Sequence, residues 1–281
     1  MKWVKNYHKI IGLGEATHGQ LKINKWRVKI FKTLVLKYCF TILVLEEEYS
    51  CSKILDRYIK NKTNSYIDGI SSFGFLNTTF INLLKWMRKF NMKNNNKLSI
   101  IGIDCQEICS EYISNSNTTK YVTNLVKKYN KKREMSIRDK YMYKIFMKQF
   151  NKQKKYVIFG HNGHLQRTKY DAKDKMIWFG NYLSNTFKNK YFVIGNTFYS
   201  GEYLAKDIDN NYTPSIARIK VKKELKNGLY LINKKLQTIN VYEGTVVFSS
   251  KDYNKTYYKF QLNNRFDALI VINNELSFIL P

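Results

Sequence analysis

The stretch "IIGLGEATHG", residues 10–19, begins as one kind of structure and ends as another. Ile10 to Gly14 form a short apolar run with no polar alternation, the pattern of a strand buried on both faces. The run stops at Glu15, and His18 follows three residues later. An acid and a histidine at the end of a buried strand need partners, and the rest of the chain offers them in a regular order.

Four more runs share the character of the first: "FTILVLE" (40–46), "KLSIIGID" (97–104), "YVIFGH" (156–161) and "YFVIGNTF" (191–198). Amphipathic stretches at 21–38 and 76–91 separate the first three strands. This alternation predicts an α/β fold with a central, mostly parallel sheet flanked by crossover helices. Residues 106–154 read as polar helices, a reduced helical insertion whose clearest piece is "MYKIFMKQF". From 213 to 281 short β-like runs follow ("IARIKV", "GLYLI", "TVVFSS", "YYKFQL", "FDALIVI"), which extend the sheet or cover an edge. With no Pro-, Gly- or Ser-rich linker and no internal repeat, 1–281 reads as a single domain.

The strand ends carry the ionisable groups. "TILVL" ends at Glu46, "SIIGI" at Asp104, and "YVIFG" at His161 with His164 three residues on. Three of the four histidines fall in two such loops. In open α/β sheets the active site lies outside the carboxyl ends of the strands, so parallel strands would gather all of these groups into one crevice. Each also has a plain structural reading. Asp104 suits a helix cap, and His161 with His164 an ordinary polar loop. In "EEEYS", Glu47 and Glu48 read as a solvated helix start that favours the helix dipole.

Arg27 gives a second line of argument. On the helix 21–38, Ile23, Ile30, Phe31, Leu34, Val35 and Tyr38 form one stripe, and Arg27 falls in its middle at about 100° per residue. A buried arginine needs a carboxylate, and Glu15 and Glu46 are the natural partners; the alternative is snorkelling to the rim.

Composition bounds the rest. A hydrophobic content of 44% and an aromatic content of 15% in 281 residues fit a folded chain with a full core. The net charge of +28 invites a polyanion partner, but only eight of the 49 basic residues are Arg and Pro numbers just 2, the bias of an AT-rich coding sequence. The densest basic run, "VKKYNKKREMSIRDK" (126–140), lacks an RNA-binding signature, so nucleic acid is not an expected partner. Cys39, Cys51, Cys105 and Cys109 have no CxxC spacing, which suits a reducing, cytoplasmic setting. No run is long enough for a signal-peptide core or a membrane span.

Taken in order, "GLGEATHG", Arg27, "LVLEEEYS", "FINLLKWMRKFN", "IIGIDCQE", "YVIFGHNGHLQR", "GNYLSNTF", "YFVIGNTF" and "FDALIVI" resemble the erythromycin esterase family. The resemblance covers most of 10–112 and 156–204, with an echo at 266–272. It implies hydrolysis of an ester, the lactone of macrolide antibiotics in the named esterases, without metal or cofactor. His18 is then the general base that activates water. Glu15, Glu46, Arg27, His161 and His164 line the same cleft, and Asp104 and Arg88 are candidates for binding a small-molecule ester. One segment departs from the family: between "IDCQE" and "HNGH" the chain is much shorter, in a region that shapes the substrate cleft of the esterases.

The residues fit that chemistry. Histidine titrates near neutrality, a nearby glutamate can orient it, and arginine or a second histidine can supply positive charge to an oxyanion. A serine route has no G-x-S-x-G elbow; "GISSFG" lacks the spacing. Two other readings use the same scaffold. One is a metal-dependent hydrolase with Glu15, His18, Glu46, His161 and His164 as ligands, which Arg27 would oppose. The other is an inactive, basic binding protein.

Overall fold

The computed structural model describes residues 1, 3–66, 70, 77–95, 97–106, 116–168, 176–244, 247–248, 257–262 and 264–277. Cys109, most of "GISSFG" and most of "TVVFSS" lie outside the described residues.

The chain begins β1 (Ile10–Glu15), α1 (Leu21–Tyr38), β2 (Ile42–Glu48), α2 (Tyr49–Ile59), α3 (Thr78–Lys93) and β3 (Ser99–Asp104). The helical segment supplies α4 (Asn117–Lys132) and α5 (Met135–Gln149). Then come β4 (Tyr156–His161), the single-turn α6 (Asn162–Leu165), α7 (Phe179–Phe187) and β5 (Tyr191–Thr197). The remainder is β6 (Ser200–Asp207), β7 (Thr213–Lys220), β8 (Gly228–Leu231), β9 (Asn240–Gly244), β10 (Val247–Phe248), β11 (Tyr257–Gln261) and β12 (Ala268–Val271).

Seven strands form the central sheet in the order β3-β2-β4-β1-β5-β12-β8. All neighbours are parallel except the edge pair β12 and β8. The α/β architecture is the expected one, and the late β-runs divide between two tasks. β12 and β8 complete the sheet, whereas β10-β6-β7 and β11-β9 make two smaller sheets.

The strands are apolar throughout because both faces are covered. Ile11, Leu13, Leu43, Leu45, Val157 and Phe159 point into a core closed by α1, α2 and α3. Their neighbours Ile10, Val44, Tyr156, Ile158 and Val193 point into a second core with Met142 and Phe146 of α5 and Phe179 and Leu183 of α7. This alternation is the period-two geometry of a strand.

β4 lies between β1 and β2 and pairs with both. This one fact of topology sets the site. Across the carboxyl edge, the end of β4 lies between the ends of β1 and β2, with β3 beyond β2, and Glu15 stands in register with His161.

β2 runs past Glu46 to Glu48, so the three acids belong to the strand end and not to a solvated helix start. Glu47 and Glu48 are buried. The reason is local. The pairing of β2 with β3 is irregular between Leu45 and Glu48, and a Cβ on Gly102 of β3 would lie 2.5 Å from the Glu47 carbonyl oxygen. The two backbones close over this glycine and carry the acids inward.

Candidate active site

Glu15, at the end of β1, joins two side chains. Its Oε1 lies 2.7 Å from Nδ1 of His18, and its Oε2 accepts from Nη1 of Arg27. Arg27 is buried on the inner stripe of α1 and also stacks over Phe159, with 4.5 Å to the ring centroid. It does not snorkel. Its Nε and Nη2 are buried and have no hydrogen-bond partner among the described residues. The His18 side chain is 16% exposed, and its Nε2 makes no hydrogen bond to the described residues.

The turn between Glu15 and α1 is held from several sides. Thr17 N–H donates to the Gln20 side chain, Ala16 N–H to Asn196 Oδ1, and Leu204 N–H of β6 to the Gly19 carbonyl. Gly19 has a φ of +78°, and a Cβ there would meet the Leu204 carbonyl oxygen at 1.9 Å, so the turn requires glycine.

Glu46, at the end of β2, sits at the other focus. Its Oε2 accepts the His161 N–H at 2.8 Å, while its Oε1 is 3.1 Å from Arg138 Nη2 and 3.2 Å from His164 Nε2. Arg138 forks onto Asp104 through Nε (2.9 Å) and Nη2 (2.7 Å). Nδ1 of His164 faces Asp139, 2.9 Å away, and Asp139 in turn accepts the Phe179 N–H at 2.7 Å. Arg138 and Asp139 come from α5, inside the segment read as a basic, polar helix.

Protonation follows from these contacts. Around His164, three buried carboxylates would face a single guanidinium if the imidazole were neutral. Burial disfavours its charge, but Asp139 and Glu46 outweigh that and lift His164 to about 10. Burial also works against an ionised Glu46, yet His164, Arg138 and His18 hold it well below the usual carboxylate range. His161 is the opposite case. Burial, with His18 and His164 nearby, pushes it down to about 4. Its Nδ1 accepts the Gly163 N–H at 3.1 Å, which leaves the proton on Nε2, 3.1 Å from the Ala16 carbonyl oxygen. Burial pulls His18 down, but Glu15 outweighs it and sets the ring above its ordinary value. The His18 and His161 rings are 5.7 Å apart.

The structure therefore brings together Glu15, His18, Arg27, Glu46, His161, His164 and Asp104. Glu46 is engaged by Arg138, and among the described residues Arg27 forms an ion pair with Glu15 alone. Asp104 has both oxygens on Arg138, and its Oδ1 also accepts the Cys105 N–H at 2.7 Å, so it supports the cleft from behind. Arg88 is elsewhere. It donates to the Thr63 carbonyl (2.8 Å) and to Asn61 and Asn64, in the turn after α2 and at the opposite edge of the sheet. Sequence reasoning missed Arg138 and Asp139, although the signal was present. Both fall on the α5 stripe of Met142, Ile145 and Phe146, the criterion that singles out Arg27 on α1.

A family model described as erythromycin esterase matches residues 37–133 and 110–274, stretches that hold Glu46, Arg138, His161 and His164. No curated protein matches the chain in sequence. Among solved structures, a Bacillus cereus protein aligns with a TM-score of 0.74 at 18% identity, over 98% of this chain and 91% of its own. A succinoglycan biosynthesis protein aligns with a TM-score of 0.76 at 16% identity, over 98% and 90%. An erythromycin esterase mutant in its open conformation aligns with a TM-score of 0.64 at 13% identity, over 98% and 92%. These likenesses establish the shared fold, and the family model covers well over half of the residues. The chain belongs to the erythromycin esterase family.

Proposed function

We propose that the protein is a hydrolase that cleaves an ester, a lactone or a related acyl bond of a small molecule, using water activated by His18. The observation that carries this reading is the asymmetry of His18. One ring nitrogen is fixed on Glu15, and the other makes no hydrogen bond to the described residues beside a buried, charged cleft. That is the arrangement a general base needs.

In this mechanism Nε2 of His18 takes a proton from water as the water oxygen bonds to the acyl carbon. The carbonyl electron pair moves to oxygen. The tetrahedral intermediate then breaks its bond to the leaving oxygen, which receives the proton back from His18. Glu15 stabilises the imidazolium between the two steps, and Arg27 balances Glu15. Arg138 and the protonated His164 offset the carboxylates Glu46, Asp104 and Asp139 and so limit the negative charge that the oxyanion meets. The reading needs no metal. Glu15 and Glu46 each face a guanidinium and an imidazole, which would oppose a cation. Among the described residues no three His, Cys, Asp or Glu side chains converge as ligands.

A panel of aryl esters and lactones tests the reading. The wild-type protein should turn over at least one member, with a rate that rises with pH through a pKa above 6.5, as the raised His18 requires. A folded His18→Ala protein that keeps the activity would sink it.

A further inference from the structure

The N-terminus of α1 lies six residues beyond Glu15 and carries no side-chain cap of its own. Gln20 makes no side-chain cap to the helix, and the first turn has no acid. Helix amides left without partners inside a fold are costly. Here they are met from a point more than 250 residues away. Glu275 Oε1 accepts the Lys22 N–H at 2.6 Å, and Oε2 accepts the Ile23 N–H at 3.2 Å. The Leu21 N–H donates to the Leu276 carbonyl at 2.7 Å. Three successive amides of α1 thus rest on two residues.

Glu275 is itself clamped. Its N–H donates to the Ser200 carbonyl at 3.0 Å, its carbonyl accepts the Glu202 N–H at 2.8 Å, and it bridges to Gly201, whose φ is +136°. A Cβ on Gly201 would lie 2.2 Å from the Glu275 nitrogen, so the two backbones are in tight contact. Glu275 is 1% exposed. The same strand, β6, holds Gly19 through Leu204. β6 and the Glu275 backbone bound to it therefore hold both ends of the segment between His18 and α1.

We propose that Glu275 is a positioning residue of the site: its carboxylate seats the N-terminus of α1 on β6 and so holds His18 and Arg27 against Glu15. The consequence for turnover rests on the reading of His18 as the base; the consequence for the His18 ring does not. Glu275→Ala removes both acceptors, and Glu275→Gln keeps one. In a folded Glu275→Ala protein, NMR titration of the imidazoles should find the His18 pKa lowered by about one unit, the size of effect that a displaced carboxylate partner produces. Glu275→Gln should fall between this and wild type. His8, at the other sheet edge, should titrate as in wild type in both. On any ester the protein turns over, kcat should fall by about 10-fold to 100-fold with KM little changed.

An unchanged His18 titration in the folded variants would overturn the proposal, whether or not an ester is hydrolysed. Loss of the fold in both variants would also overturn it, because Glu275 would then be a strut of the whole molecule. A shifted His18 titration in a protein that hydrolyses nothing would uphold the positioning role and count against the esterase reading.

Discussion

The two sides of the cleft repeat one motif, a glutamate at a strand end that joins an arginine to a histidine, and they finish it differently. On the β1 side, Glu15 holds Arg27 and His18, and His18 makes no other hydrogen bond to the described residues. On the β2 side, Glu46 holds Arg138 and His164, but Asp104 forks Arg138 and Asp139 fixes the second nitrogen of His164. A histidine with one nitrogen committed can exchange a proton without breaking the network. A histidine engaged at both nitrogens, by Asp139 at Nδ1 and by Glu46 and Arg138 around Nε2, has no ring nitrogen left to exchange a proton. In the mechanism proposed above, the difference gives proton transfer to the first side and charge balance to the second.

Substituting the histidine of the first side should break this comparison most sharply. His18→Ala should reduce kcat by about 10²- to 10⁴-fold, the usual worth of a positioned base. The folded population should be retained, because the ring is partly exposed and has one hydrogen-bond partner among the described residues. Steady-state kinetics with circular dichroism on the same sample checks both parts. A large loss of fold with activity preserved in the survivors would exchange the roles of the two sides.

The arginines come next. Arg138→Met strips the countercharge from Glu46 and Asp104, and removing one partner of a buried ion pair costs about 3–5 kcal/mol. Arg27→Met should cost less, about 2 kcal/mol, because it also removes two buried donors that have no partner among the described residues. Urea denaturation of both variants gives the difference. Equal losses would mean that the two sides are equally satisfied, and the contrast between them would fail.

A third test uses pH. The pKa of His161 is depressed in the fold, so its neutral form contributes stability that is fully present above the unfolded value of 6.5 and is lost as pH falls through about 4. The loss across that window should be about 3 kcal/mol. His164 is raised, so its contribution is fully present below 6.5 and is lost as pH rises through about 10. Thermal melts from pH 3 to 11 should therefore show an acid limb that flattens in His161→Gln and an alkaline limb that flattens in His164→Gln. Swapped limbs would reverse the protonation of the two rings.

The contrast between the two sides also explains what the sequence could show. The β1 side lies within thirteen residues, Glu15 to Arg27. The break in apolar pattern and the arginine on a stripe are both visible there, and the strands around it read correctly because parallel strands buried on both faces leave unmixed apolar runs. The β2 side is assembled from β2, β3, α5 and α6, the turn that follows β4, which only the position of β4 between β1 and β2 brings together. Glu46, His161 and His164 were legible as strand ends. Arg138 and Asp139 were hidden by composition, because a run dense in lysine looks solvated as a whole and conceals two inward-facing positions. Glu47 and Glu48 were misread for a related reason. Three acids in a row suggest water, and only the close approach of the backbone over Gly102 makes them interior. Glu275 left no local sign, since the helix amides it caps are more than 250 residues away.

The smallest effect belongs to a residue on neither side. Arg88 was a candidate for substrate binding, and the fold places it on α3, over Tyr58 at 4.6 Å and donating to Thr63, Asn61 and Asn64 in the turn after α2. Its acceptors are neutral and close to the surface, so water can replace it. Arg88→Ala should therefore cost about 1 kcal/mol in stability, the net worth of such hydrogen bonds, and leave kcat and KM at wild-type values. The two readouts separate the possibilities. If KM rose while kcat held, the substrate would have to extend from the carboxyl edge of the sheet to the opposite one, and the cleft between Glu15 and Glu46 would be only part of the binding site.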